Sequence, residues 1–248
     1  MKGLKLIVLG VALAVVGTQL PAKNDPAAAD AAQAAAKASE QGFKPLFDGK
    51  SLDGWEGREG FWSVQDGCIT GQTKQNFGGP NTFLVWKGGD VSDFELRCEY
   101  KIIGGNSGIQ YRSKLMDPKL FVVGGYQADF EAGTTFSGIN YEERGRGILA
   151  QRGTKVTLDT NGQKKEEKLA MTSEQLLKAI KPNDWNEYVV VAKGPHLVHR
   201  INGNVTSEVI DNSDKAVKSG ILALQLHQGP PMTVQFRNIR IKQLDSVR

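Results

Sequence analysis

Cysteine and histidine are scarce in this 248-residue chain, with two of the first and three of the second. Metal centres need such ligands in clusters at short spacings, and nothing in the spacing of Cys68 and Cys98 suggests one. No loop carries a spacing of oxygen ligands specific enough for calcium. No metal and no cofactor are therefore expected. Long runs of one charge are also missing: the net charge of +4 is spread along the chain, which argues against nucleic acid as a partner. The glycine cluster Gly104-Gly105-Asn106-Ser107-Gly108 has no helix after it and no Lys-Ser/Thr pair to close it, so it makes a poor phosphate cradle. Absent, finally, is the alternation of strand and helix that builds a parallel sheet.

The one long apolar run, Leu6 to Val16, follows Lys2 and Lys5 and precedes a small-residue site around Leu20-Pro21-Ala22. That order is the order of a secretory signal peptide, and the run is well short of the roughly 20 residues that span a bilayer. We expect a leader over residues 1–22, a secreted or periplasmic mature chain, and no membrane segment in it. Residues 23–42 are alanine-rich with no periodic large apolar side chains to dock on a core, and they read as a tether. A single domain is expected over 43–248. An oxidising compartment leaves two states open for Cys68 and Cys98, a disulfide or two separately buried thiols.

Turn chemistry punctuates that domain at short intervals. Asp66-Gly67 sits between Phe61-to-Gln65 and Cys68-to-Thr70 as a hairpin signal. Residues 93–103 alternate strictly, with Phe94, Leu96, Cys98, Tyr100 and Ile102 set against Glu95, Arg97, Glu99 and Lys101, which is a strand with one buried face. Thr82 to Trp86, Tyr188 to Ala192, His196 to Ile201, Asn204 to Ile210, Gly220 to His227 and Met232 to Lys242 read as further strands. Lys155 to Lys168 is a loop or hairpin. Thr172 and Gln175 have capping-box spacing ahead of Pro182, the one helix expected beyond the tether. About a dozen strands with such turns predict an antiparallel sandwich.

Four ordered blocks carry a family resemblance: Leu46-Phe47-Asp48-Gly49-Lys50-Ser51-Leu52-Asp53-Gly54-Trp55; Asp93-Phe94-Glu95-Leu96 running on to Gly105-Asn106-Ser107-Gly108-Ile109; Trp185-Asn186-Glu187-Tyr188; and Val234 to Lys242. Over residues 43 to 243 the chain resembles the bacterial 3-keto-disaccharide hydrolase family, once catalogued as a domain of unknown function. The resemblance implies an all-β, concanavalin-A-like jelly-roll sandwich of two antiparallel sheets with a carbohydrate cleft on the concave one. It also implies action on sugars oxidised at C3, as lyase, hydratase or hydrolase. One position departs: many members carry a glutamate two residues before the glutamine of the central strand, where this chain has Gly125, so that carboxylate role does not transfer.

A 3-keto sugar has an acidified hydrogen at C2. Its cleavage by elimination and hydration needs a base near C2, donors at the C3 oxygen and an acid at the leaving oxygen, whereas an ordinary glycosidase needs two carboxylates flanking the bond. Both demands point to residues 124–147. As a strand, Gly124 to Glu131 turns Gly125, Gln127, Asp129 and Glu131 one way and Tyr126, Ala128 and Phe130 the other, apolar side chains to the core and polar ones to a cleft. Asp129, Glu142 and His227 are the candidate catalytic residues, His227 because it ends a strand beside Gly229-Pro230-Pro231. Arg112, Tyr126, Gln127, Glu143 and Arg146 are the candidate substrate-binding residues. His196 and His199 are expected at the surface of a hairpin, and Trp55, Trp62, Trp86 and Trp185 in the core rather than on a sugar. An exported enzyme is the first reading, a non-catalytic carbohydrate-binding sandwich the second, and a plain two-carboxylate glycosidase the third.

Overall fold

The computed structural model describes residues 40–245. The expected leader, and the expected tether up to residue 39, lie outside the described residues. In chain order the strands are β1 (Lys44–Pro45), β2 (Trp55–Gly57), β3 (Trp62–Gln65), β4 (Cys68–Thr73), β5 (Thr82–Trp86), β6 (Phe94–Ile103), β7 (Asn106–Asp117) and β8 (Val122–Glu131). They continue with β9 (Asn140–Glu143), β10 (Gly147–Ala150), β11 (Thr154–Leu158) and β12 (Lys164–Lys168), then the helix α1 (Ser173–Lys178). Last come β13 (Asn186–Lys193), β14 (His196–Ile201), β15 (Asn204–Asp211), β16 (Ile221–Leu226) and β17 (Met232–Gln243).

The strands form two sheets, one of ten strands in the order β12-β11-β15-β14-β13-β6-β17-β4-β3 with β1 also paired to β17, and one of seven in the order β10-β9-β8-β7-β16-β5-β2. Together they make the expected jelly-roll-like sandwich. The antiparallel rule has one exception, since β11 runs parallel to β15. Between β10 and β11 the chain leaves the smaller sheet for the larger one, so no hairpin dictates the direction in which β11 arrives.

Local chemistry explains most of the elements. In the β3–β4 hairpin Asp66 and Gly67 take φ of 50° and 73°, the two positive angles that a tight turn matched to strand twist requires. The alternation of β6 is realised as buried and half-exposed residues in strict turn. Thr172 Oγ1 accepts from Gln175 N while Thr172 N donates to Gln175 Oε1, so the capping box forms around α1. Residues 155–168 resolve as the β11–β12 hairpin, and every residue of β12 is exposed.

The core lies between the sheets. β6 contributes Phe94, Leu96, Cys98 and Tyr100, β8 contributes Tyr126, Ala128 and Phe130, and β13 and β17 add Val190 and Phe236. Each Val, Leu or Phe among them removed from water contributes roughly 1.5–3 kcal/mol. Cys68 and Cys98 are free, buried thiols, on strands that both pair with β17. Of their two open states, this is the unbonded one.

Candidate functional site

The site is built on β8. Tyr126, Ala128 and Phe130 enter the core, and Gln127, Asp129 and Glu131 face the other way into a cleft of about 330 Å³. Cross-strand register widens that polar face: Gln127 stands opposite Gln110 of β7 and Tyr141 of β9, Gly125 opposite Glu143, and Asp129 opposite Gly108. Asn81, Asn106, Gln225 and His227 complete the polar lining, with Phe136 and Ile148 as apolar walls.

An uncharged ladder of amides forms the floor. Ser113 Oγ donates to Gln110 Oε1 at 2.6 Å, Gln110 Nε2 donates to Gln127 Oε1 at 2.7 Å, and Gln225 Nε2 donates to the same oxygen at 2.9 Å. With its oxygen doubly engaged, Gln127 keeps its Nε2 hydrogens for a ligand. Gly108 makes room for this arrangement, since a Cβ there would lie 2.6 Å from Gln127 Cγ.

The carboxyls stand above this floor. Asp129 is 5% exposed, and Asn106 Nδ2 donates to its Oδ1 at 2.9 Å. Burial first, then the charges of Glu131 and Glu143, pushes its carboxyl well above the usual range, against the opposing bond from Asn106. Burial also raises Glu143, while Arg144, the bond from Asn81 Nδ2 and His227 pull the other way. The Tyr141 phenol is raised by burial and by Glu143 and Asp129. His227 Nδ1 lies 2.5 Å from the Gln228 carbonyl oxygen; a neutral ring that donates there carries its lone pair on Nε2. Glu131 is committed to structure, its Oε1 accepting from Thr135 N and Phe136 N.

Of the candidates read from the sequence, Asp129, Gln127, Glu143 and His227 line the cleft and Arg112, Tyr126, Glu142 and Arg146 do not. Arg112 sits in a β-bulge at φ 46°, and the extra residue reverses the alternation. Its guanidinium is buried on Asp93 Oδ1 and the carbonyls of Ser92 and Gly194. Gly125 lies opposite that bulge at φ 142°, where a Cβ would be 2.5 Å from Ser113 Oγ. The backbone itself thus excludes the glutamate of the family pattern here.

Glu142 pairs across the sheet with Tyr126 and so points to the core side. There Arg146 Nε meets Glu142 Oε2 at 2.5 Å and Arg146 Nη2 meets Asp211 Oδ2 at 2.7 Å, while Tyr126 OH donates to Asp211 Oδ2. Burial opposes the Arg146 charge, but its bonds to Asp211 and Glu142 outweigh it, and the net effect holds the guanidinium charged. Acid and base do meet in this segment, but each occupies the other. His199, expected at the surface, is fully buried on the core side of β14. Tyr111 OH lies 2.9 Å from its Nε2, and burial lowers it to about 3.

Asn81, Asn106, Gln110, Tyr141 and Gln225 were not legible as site residues. Gln225 had a signal, a lone amide in the otherwise apolar run of β16. None of the four tryptophans lines the cleft, and of the four expected in the core only Trp55 is buried, Trp62, Trp86 and Trp185 being half-buried.

Comparison with known proteins agrees with this architecture. The solved structure of a candidate glycosyl hydrolase from Parabacteroides distasonis is 20% identical, covers 84% of this chain and 97% of its own, and superposes with a TM-score of 0.55. A Bacillus subtilis protein with a galectin-like fold gives 12% identity, coverage of 79% and 92%, and a TM-score of 0.54. Such identities show the fold alone. A curated relative, the 3-keto-disaccharide hydrolase of Bacteroides thetaiotaomicron, is 36% identical over 90 residues, which is 32% of this chain and 30% of the relative's length. The model of the 3-keto-alpha-glucoside-1,2-lyase-like domain matches residues 42–242, from β1 into β17, and the chain belongs to that family.

Proposed function

We propose that this chain is an exported carbohydrate-active enzyme that cleaves 3-keto glycosides by elimination and hydration, a net glycosidic hydrolysis. The observation that carries the reading is that Asp129 and Glu143 face one cleft above a floor of neutral amides, where burial pushes both carboxyls up. Removal of the C2 proton leaves an enolate delocalised on the C3 oxygen. Re-forming the C3 carbonyl drives those electrons into a C1–C2 double bond, and the C1–oxygen bond breaks as the leaving oxygen takes a proton. Water then adds at C1 and a proton returns to C2.

Asp129, the more buried carboxyl, suits the acid that protonates the leaving oxygen, and Glu143, beside Arg144 and His227, suits the base at C2. Gln127 Nε2 is the donor offered to the enolate oxygen. Purified protein incubated with a 3-keto disaccharide is expected to release free sugar, with Asp129→Asn and Glu143→Gln each slower by roughly 10²–10⁴-fold. No release above background would sink the reading, and equal cleavage of the unoxidised disaccharide would replace it by a two-carboxylate glycosidase. The binding-module reading is favoured by one observation, the absence of a carboxylate at Gly125; it prevails if glycan binding survives both substitutions and no turnover is seen.

A further inference from the structure

A second hollow, of about 670 Å³, opens beside β3 and β4. We propose that it is a second carbohydrate site, one that holds neutral, unoxidised sugar units without reacting with them. Phe61, Trp62 and Phe77 line it together with Gln72, Gln75 and Asn76; no carboxylate does, and its one charged side chain is Lys74. A sugar ring presents apolar C–H faces edged by hydroxyls. Aromatic rings suit the first, and amides, which donate and accept from one group, suit the second. Lacking an acid or base pair, the hollow binds and does not cleave. The choice of carbohydrate as ligand leans on the proposed function of the cleft; the geometry of the hollow stands apart from it.

The aromatic wall is fixed in place. The Phe61 and Phe77 rings have centroids 4.8 Å apart, and the Arg58 guanidinium lies 5.0 Å from one and 5.5 Å from the other. Phe77 is further pinned by its backbone, which exchanges two 2.8 Å hydrogen bonds with Gly229. The same segment runs on to Asn81, whose Oδ1 accepts from Gln228 N and whose Nδ2 donates to Glu143 in the cleft. Residues 77–81 therefore reach from the hollow to the cleft, bonded along the way to residues 228–229. A glycan seated in the hollow is held beside the reactive centre, which raises the local concentration of sugar units carried on the same chain.

The test is calorimetric titration with unoxidised neutral tetrasaccharides of glucose, galactose and mannose. It compares wild type, Phe77→Ala, the double variant Gln75→Ala/Asn76→Ala and the cleft variant Glu143→Gln. At least one tetrasaccharide is expected to bind wild type and Glu143→Gln alike, and to bind Phe77→Ala and the double variant about tenfold more weakly, the effect of a lost ring contact in the first and of lost amide hydrogen bonds in the second. Should Phe77→Ala melt early, the exposed Gln75 and Asn76 decide alone. Failure of every tetrasaccharide to bind wild type would overturn the proposal, as would binding lost in Glu143→Gln and untouched in the hollow variants. Turnover of a 3-keto disaccharide, read in the same samples, reports separately on the cleft.

Discussion

Asp129 keeps its proton at the expense of the fold. In an unfolded chain an aspartate ionises near pH 3.9, whereas burial in the cleft holds this one protonated to higher pH. Above pH ~4 the folded form therefore binds more protons than the unfolded one, and stability falls as pH rises, by ~1.4 kcal/mol per unit until the folded group ionises as well. Asp129→Asn retains an acceptor for Asn106 Nδ2 and has no proton to lose. It is expected to melt above wild type at pH 7, the gap closing towards pH 3, while activity is lost. Scanning calorimetry at the two pH values checks this; a variant that melts lower at pH 7 contradicts it. Gly125 shows the opposite constraint at the scale of one residue, a place where the backbone conformation, rather than the chemistry wanted, decides which side chain fits.

The β9–β10 hairpin shows what alternation does to neighbours in sequence. Glu142 and Glu143 are adjacent, yet one ties Arg146 and Asp211 into a buried cluster and the other faces the cleft. Replacing Arg146 by Met leaves two carboxylates buried without their cation, and a loss of about 3–5 kcal/mol is expected in urea unfolding, larger than for Glu142→Gln, which removes one acid and leaves the Arg146–Asp211 pair. Equal losses would show that the Arg146–Asp211 pair adds nothing to stability. Here lies the limit of what was legible. The strand of β6, the capping box of α1 and the two faces of β8 follow from spacing alone, because they depend on local period and turn chemistry. Arg112 and His199 were misplaced because their orientation is set by partners distant in sequence: a one-residue bulge against Gly125 reverses the first, and Tyr111 and Asn140 of the opposite sheet, packed against the ring, bury the second. Tyr126 was read both as facing the core and as binding substrate; only the first holds, since its hydroxyl is spent in the core on Asp211.

At the scale of the whole sandwich, His199 gives stability a slope opposite to that of Asp129. Burial lowers its folded value from 6.5 to about 3, so below pH 6.5 the unfolded chain takes up a proton that the folded one refuses. Stability is lost as pH falls from about 6.5 to about 3, at ~1.4 kcal/mol per unit. His199→Gln keeps an acceptor for Tyr111 and a donor for the Ile139 carbonyl. It should start less stable than wild type at pH 7 and lose less between pH 6.5 and 4; parallel losses in urea titrations at those two pH values would rule His199 out as the source. The rim of the larger sheet acts at this same scale. Its last strand, β12, reads Lys164-Lys165-Glu166-Glu167-Lys168 and is exposed throughout. If a second copy laid its own β12 alongside, antiparallel and in register, Lys164 would face Lys168 at both ends and Glu166 would face Glu166 at the centre, three like-charge pairs that outnumber the two favourable Lys165–Glu167 pairs between them. Like charges set directly opposite repel, so the rim discourages end-to-end growth of one molecule's sheet into the next.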